Sequence, residues 1–277
     1  MTKPERPDPN EVFTLTRPEG EELPLLVSVP HTGLGVPDWI AERFTNDTIR
    51  ELPDTDRHLD RVYDFVPAMG ATLLCAKYSR YVVDLNRPAD GHALYPGRDE
   101  TGLVPRSSFG EVPIYREGTG PDDAEVQQRV EWFWKPYHDT LRRELDRLHA
   151  VFGYALLWDG HSITSVVPRF FEGSLPALML GDVEGKSADP SLSAAVLEVQ
   201  NASDYSVQPN APFKGGYITR SHGDPANGFH ALQLEMTQRI YMDEESPFAF
   251  DAAKANALVP VLRDCLLAYC DAAKRLS

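Results

Sequence analysis

Cysteine is scarce in this chain: Cys75, Cys265 and Cys270 are the three in 277 residues. They are too few and too scattered for a disulfide framework, and they lack zinc-finger spacing. They read as buried thiols in a reducing compartment. No uninterrupted apolar run approaches the roughly 18 residues of a membrane span. The amino terminus is polar and proline-rich, without the apolar core of a signal peptide, so the expected location is the cytoplasm with no membrane partner. Positive charge is also short, with 27 Lys and Arg against 42 Asp and Glu and a formal charge of -15. Nucleic acid is therefore not an expected partner, because binding it needs a basic face that displaces counterions from phosphate. A Gly-x-Ser-x-Gly elbow, a phosphate-binding Gly-x-x-x-x-Gly-Lys and a dinucleotide fingerprint are all missing, which removes three common enzyme classes.

What remains is an ordinary globular composition, 42% hydrophobic and 25% charged, of a size that fits one α/β domain. Residues 1–14 read as a flexible arm, and residues 15–277 as a single domain without repeat or linker. Apolar runs predict strands at Leu25–Val29, Thr72–Ala76, Arg80–Leu85, Tyr154–Trp158, Ala177–Leu180 and His230–Met236. Helical periodicity predicts helices at Asp38–Phe44, Thr55–Val66, Pro121–Phe152 with a kink at Pro136, Ser191–Ala202 and Phe250–Leu276. Strands alternating with helices imply an α/β sandwich. Residues 86–120 and 162–174 are irregular, and such stretches often wall an active site.

Two of the apolar runs end in imidazoles. Pro24 to Pro30 leads into His31 beside Thr32 and Gly33, and Tyr154 to Trp158 leads through Asp159 and Gly160 to His161. Two histidines at strand ends suggest a metal site, since neutral imidazole is a common zinc ligand and strand ends hold it rigidly. Asp54, Asp56 and Asp60 are candidates for an acidic third ligand. Asp56 and Asp60 share a helical face by their spacing; equally, Asp54 can cap the helix, Asp56 favour its dipole and Asp60 pair with an arginine. Asn86 and Arg87 close an apolar run where a guanidinium can grip a carboxylate, with Asp84 orienting either; a loop-closing salt bridge is the plainer alternative. Arg80, Arg98, Arg106, Arg169 and Arg220 stand in or beside irregular segments and suggest a local anion pocket in an acidic chain. Glu235 sits in the apolar strand pattern Ala231 to Met236, where an ionised carboxylate must be paired or used. It reads as a general base, or else as an ion-pair partner of Arg239 or Arg220.

These pieces, in this order, make the chain resemble the N-formylglutamate amidohydrolases, relatives of the carboxypeptidase A-like zinc hydrolases. The motifs are Pro30 to Gly33, Asp54 to Asp56 with Arg61 to Phe65, Ser79 to Pro88, Leu94 to Gly97, Thr101 to Leu103, Asp159 to Ser162, Phe213 to Arg220 and Gln233 to Glu235. The resemblance runs from Pro24 to about Met242. It implies a three-layer α/β/α sandwich with a mixed sheet, like the zinc carboxypeptidase and phosphorylase/hydrolase-like fold. It further implies one Zn2+ held by His31, Asp56 and His161, with Asp56 favoured over Asp60. Asn86 and Arg87 match the pair that grips the substrate carboxylate in the wider group, and Glu235 matches the carboxylate that activates water. Manganese, cobalt or iron would also suit such a ligand set.

The implied function is hydrolysis of an N-formyl or N-acyl amino acid, first of all N-formyl-L-glutamate in histidine breakdown. The expected partner is a small anionic acyl amino acid, and the expected assembly a monomer or small homo-oligomer. Arg80, Asn86, Arg87, Arg169 and Arg220 are the expected substrate-binding set. The chain departs from the family pattern where Thr164 stands for Arg, Met179 for Asn and Pro212 for Arg. A different N-acyl amino acid or small peptide is the alternative within the same chemistry, and a non-catalytic anion-binding protein is the alternative outside it.

Overall fold

The computed structural model describes residues 4–94, 97 and 100–276. Tyr95, Pro96 and Arg98, which belong to the Leu94 to Gly97 motif and the arginine set, lie outside the described residues. Six strands form one sheet in the order β1-β3-β2-β4-β6-β5: β1 Phe13–Thr16, β2 Leu25–Val29, β3 Thr72–Ala76, β4 Ala155–Ile163, β5 Leu178–Gly181 and β6 Phe229–Thr237. The four central strands run parallel, while β1 and β5 pair antiparallel at the two edges. The sheet is thus mixed, as expected. β1 takes in the end of the expected arm: Val12 and Phe13 are buried, and Phe13 pairs with Ala76 across the sheet edge.

Eight α-helices accompany the sheet among the described residues: α1 Asp38–Ala41, α2 Asp47–Arg50, α3 Leu59–Val62, α4 Asp123–Arg129, α5 Lys135–Phe152, α6 Pro190–Asn201, α7 Tyr217–His222 and α8 Ala252–Ala273. The period-2 alternation of the strands sends alternate residues to opposite faces. On one face Leu25, Val27, Leu156, Trp158, Leu232 and Leu234 pack with Leu192 and Val196 of α6 and Leu258, Leu262 and Tyr269 of α8. On the other, Leu26, Leu74, Leu157 and Ala231 pack with Tyr137, Leu141, Leu145 and Leu148 of α5. The result is a three-layer α/β/α sandwich. Each fully buried Leu, Ile or Val contributes about 1.5–3 kcal/mol, and the three cysteines are buried among them with free thiols.

Four sequence-based expectations need correction. The expected helix over Thr55–Val66 shrinks to α3 because His58, immediately before it, adopts the left-handed region at φ 64°. Asp56 precedes that helix, so it does not share a helical face with Asp60. The expected strand at Arg80–Leu85 is a series of turns whose backbone groups bond to Ser79, Leu103 and Arg87 rather than to a ladder. The expected long helix with a kink at Pro136 contains a π-helical segment, Val130–Trp134, just ahead of the proline. A proline lacks the N–H that the preceding turn needs, and a wider turn is one way to absorb it. Finally, β4 runs on to Ile163, so His161 lies inside a strand instead of beyond its end.

Candidate metal centre and active-site cavity

On the α5 side of the sheet, β4 and β6 change character along their length. Ala155, Leu157 and Ala231 are apolar and pack under α5, whereas Asp159, His161, Gln233 and Glu235, further along the same face, are polar and buried. The register pairs His161 with Glu235, so the two side chains stand beside each other. His31 follows β2, next to β4 in the sheet. The site therefore collects at the carboxyl ends of parallel strands, the usual crevice of α/β proteins. Gly160 is required here, because a Cβ at that position would come 2.9 Å from the Tyr63 ring.

His31, Asp56 and His161 each offer one ligand atom, and these atoms lie within 4.8 Å of one another. All three residues are at most 3% exposed. The hydrogen bonds fix the orientation of both rings. His31 Nε2 lies 2.8 Å from Asp84 Oδ1, and His161 Nε2 lies 2.9 Å from Asp159 Oδ2. An ionised carboxylate only accepts, so each Nε2 carries a proton and donates it. The Nδ1 atoms then turn toward Asp56 Oδ2, at 3.8 Å from His31 and 3.4 Å from His161. This is the outer-shell arrangement typical of metal-ligating histidines.

Asp56 is held in the pocket by its backbone N–H, which donates to the His31 carbonyl, and by the Ser162 N–H, which donates to Oδ2 at 3.1 Å. Its other oxygen, Oδ1, is buried with no hydrogen-bond partner among the described residues. An orphaned carboxylate oxygen beside two inward-facing imidazole nitrogens is a poor arrangement by itself and a good one around a cation, so the residues fit a metal ion. Asp60 is exposed and accepts from Thr32 Oγ1, and Asp54 accepts from the Tyr81 hydroxyl and the Phe109 N–H. Neither belongs to the group.

The electrostatics follow from burial and these pairs. Burial, with Arg80 nearby, lowers the pKa of His31 and keeps it neutral, the form a ligand needs. Burial also pulls His161 down, but Asp159, Asp56 and Glu235 outweigh it and hold its pKa well above the usual value. A proton or a metal ion at Nδ1 satisfies that negative surround equally. Asp84 is buried, yet Arg80, His31 and Arg87 keep its carboxyl well below the ordinary range. Glu235, 8% exposed, is pushed up to about 8 by burial, with Asp56 and Asp159 adding to the shift while His161 and Arg80 oppose it. Neither Arg239 nor Arg220 forms an ion pair with it. Arg239 instead bonds to Ser174 and Leu175, and Arg220 donates to the Gly215 carbonyl.

A cavity of about 470 Å³ opens over this group, within the range of small-molecule sites. Arg80, Asn86, Arg87, Arg169 and Glu235 line it together with His31, Asp56 and His161. Arg220 is not among the described residues of its lining. Arg80 donates to Asp84 at 2.7 Å and lies over the Phe109 ring. Arg87 is oriented by bonds to Thr101 and to the Asn86 carbonyl. Asn86 is fixed by the Ile218 N–H, which donates to its Oδ1 at 2.8 Å, and by Gly216, whose missing Cβ would fall 2.2 Å from Asn86 Nδ2.

Sequence reading missed Gln233, Glu100, Ser162, Ile163, Phe109, Phe170 and Phe213 in the lining. Asp159 could have been found, since it shares a strand face with His161 two residues on. Of the three departures from the family pattern, Pro212 lines the cavity, Met179 is buried directly opposite Glu235 in the β5 register, and Thr164 is half-buried outside the lining.

Fold and site together define an α/β protein with a buried candidate metal centre and a glutamate beside it. The chain belongs to the N-formylglutamate amidohydrolase family, whose model matches residues 23–242. It is 47% identical over 247 residues to the N-formylglutamate deformylase of Pseudomonas putida, covering 89% of this chain and 92% of that one. The N-formylglutamate deformylase of Pseudomonas aeruginosa is also 47% identical, over 88% of this chain and 91% of its own. Among solved structures, the N-formylglutamate amidohydrolase of Ralstonia eutropha JMP134 superposes with a TM-score of 0.79 at 29% identity, covering 95% of this chain and 97% of that one. No helix among the described residues is long and apolar enough to cross a membrane.

Proposed function

We propose that this protein is a metal-dependent amidohydrolase that cleaves the acyl amide of an N-formyl or N-acyl amino acid. N-formyl-L-glutamate, named for its relatives, is the first compound to try. The observation that carries the reading is the convergence of two inward-turned imidazoles, an under-bonded Asp56 and the unpaired Glu235 on one cavity. His31, Asp56 and His161 are the proposed ligands. A divalent cation held there, zinc first of all, supplies Lewis acidity toward the acyl oxygen and toward water.

The chain's own groups account for the rest. Asn86 and Arg87 bind the substrate carboxylate, with Arg80 and Arg169 adding positive charge to the cavity. Glu235 accepts a proton from the attacking water as the new C–O bond forms. It then delivers that proton to the amide nitrogen as the C–N bond breaks, leaving a carboxylic acid and an amine. Its burial on the cavity wall keeps the proton it exchanges away from bulk water. On this reading the protein works in the cytoplasm, in histidine breakdown if the substrate is that of its relatives.

The test is to strip the purified protein with a chelator, titrate back zinc, manganese or cobalt, and follow formate release from N-formyl amino acids. Activity should disappear on stripping and return at one equivalent of metal per chain. Hydrolysis that survives complete stripping would refute the metal-dependent reading.

A further inference from the structure

Gln233 and Glu235 lie two residues apart on β6, so their side chains share the face that looks into the cavity. The register sets Gln233 beside Asp159 as it sets Glu235 beside His161. Gln233 is 4% exposed, and a carboxamide buried to that degree needs partners at both of its ends. Its oxygen has one. Oε1 accepts from the Gly216 N–H at 2.7 Å, whereas no acceptor among the described residues takes the hydrogens of Nε2.

Asn86 repeats the arrangement. Its Oδ1 accepts from the Ile218 N–H at 2.8 Å, and its carboxamide lies against Gly216. Its Nδ2 stands 3.1 Å from His161 Nε2, but that nitrogen already gives its proton to Asp159 and cannot accept. Both amide oxygens are thus committed to backbone N–H groups, Gly216 for one and Ile218 for the other. Flipping either carboxamide would set an NH2 group against an N–H. The two NH2 groups therefore stay turned to the cavity, which the Arg87 guanidinium also lines. Buried donors without acceptors cost free energy, and a carboxylate is a ligand that supplies several acceptors at once.

We propose that Gln233 is a substrate-binding residue whose Nε2–H donates to the same carboxylate that Asn86 and Arg87 hold. This rests on the amidohydrolase reading above and adds a residue to it. The experiment measures kcat and KM of the metal-loaded wild type, Gln233→Met and Arg87→Met. The substrates are N-formyl-L-glutamate and its two monoamides, N-formyl-L-glutamine and N-formyl-L-isoglutamine. Methionine keeps the length of the side chain and removes both amide ends.

On the diacid, Gln233→Met should raise KM by about ten- to a hundredfold, the worth of a hydrogen bond to a charged group, with kcat changed less. On the monoamide that lacks the carboxylate in question the penalty should shrink to about twofold, and the same monoamide should blunt Arg87→Met. A penalty equal on all three substrates marks a structural role through Gly216 and overturns the inference, as does blunting of the two substitutions by different monoamides. A crystal structure of the metal-loaded Glu235→Gln variant with N-formyl-L-glutamate tests the contact without altering Gln233. A carboxylate oxygen should lie within about 3.2 Å of Nε2; a water there, or no ligand atom, overturns the contact. If the wild type hydrolyses none of the three compounds, the parent reading falls and this inference with it.

Discussion

Glu235 is a carboxylate in a place built against charge, and that is why it is worth replacing. Buried, free of any cationic partner within ion-pair distance among the described residues, and paired in register with His161, it has a raised pKa whose largest cause is desolvation. On the proposed mechanism Glu235→Gln lowers kcat by about 10²–10⁴-fold, the usual worth of a positioned acid-base group. Metal content should stay at the wild-type level, since Glu235 is not a ligand; kcat near wild type would remove it from the role. Asp84 acts one step further out, through the His31 ring. Asp84→Asn should weaken metal affinity by roughly 10–100-fold, read by competition with a chromophoric chelator. Unchanged affinity would mean that the hydrogen bond does not orient the ligand. Glu235 was legible in the sequence because one carboxylate interrupts an apolar strand pattern. The Asp84 contact to His31 was not, because 53 residues separate them and the intervening backbone folds as turns.

At the scale of elements, the strands that carry the site were readable and the segments that complete it were not. β2 and β3 announce themselves by short apolar runs, as buried parallel strands do, and β6 by alternation. The run Tyr81 to Leu85 carries the same signal and is equally buried, yet its backbone bonds go to turns, Leu103 and Arg129 rather than to a strand ladder, so composition alone misassigned it. Likewise the periodicity from Thr55 to Val66 could not reveal that His58 breaks the helix and frees Asp56 to face His31 and His161. α7 makes the coupling between elements testable. Gly216, at its start, donates its N–H to Gln233 Oε1 at 2.7 Å, while Asn86 occupies the space of the missing Cβ. Gly216→Ala must push the Asn86 amide off the Ile218 N–H. We expect KM to rise by about tenfold with a smaller change in kcat, because on the proposed reading the displaced group grips substrate and not the reacting atoms. An unaltered KM would show that Asn86 does not depend on this contact.

The molecule as a whole carries buried histidines that tie its layers together away from the candidate metal group. His138 of α5 stacks on Trp134 at 3.7 Å and donates its Nε2–H to the Leu85 carbonyl. His222 of α7 stacks parallel to it at 5.9 Å, with Nδ1 buried and without a hydrogen-bond partner among the described residues. Burial is the main cause in both cases: it lowers His138 to about 3, helped by His222, and His222 to about 4, helped by Arg142 and opposed by Asp159 and Asp146. An unfolded histidine titrates near 6.5, so between pH 6.5 and 4 the unfolded chain binds protons that the folded one refuses. The stability these groups contribute is complete above about pH 6.5 and drains away as pH falls through that window. From pH 7 to pH 5.5 each should cost roughly 1 kcal/mol. His31 and His230 move in the same direction, while His161 and Glu235, both raised, work in the opposite one. The comparison therefore has to be made on metal-loaded protein, by urea unfolding of wild type beside His222→Leu. The variant should lose less stability than wild type over that interval, by roughly 1 kcal/mol. Identical slopes would mean that His222 is solvated and titrates normally, contrary to its buried place on α7 against His138 of α5.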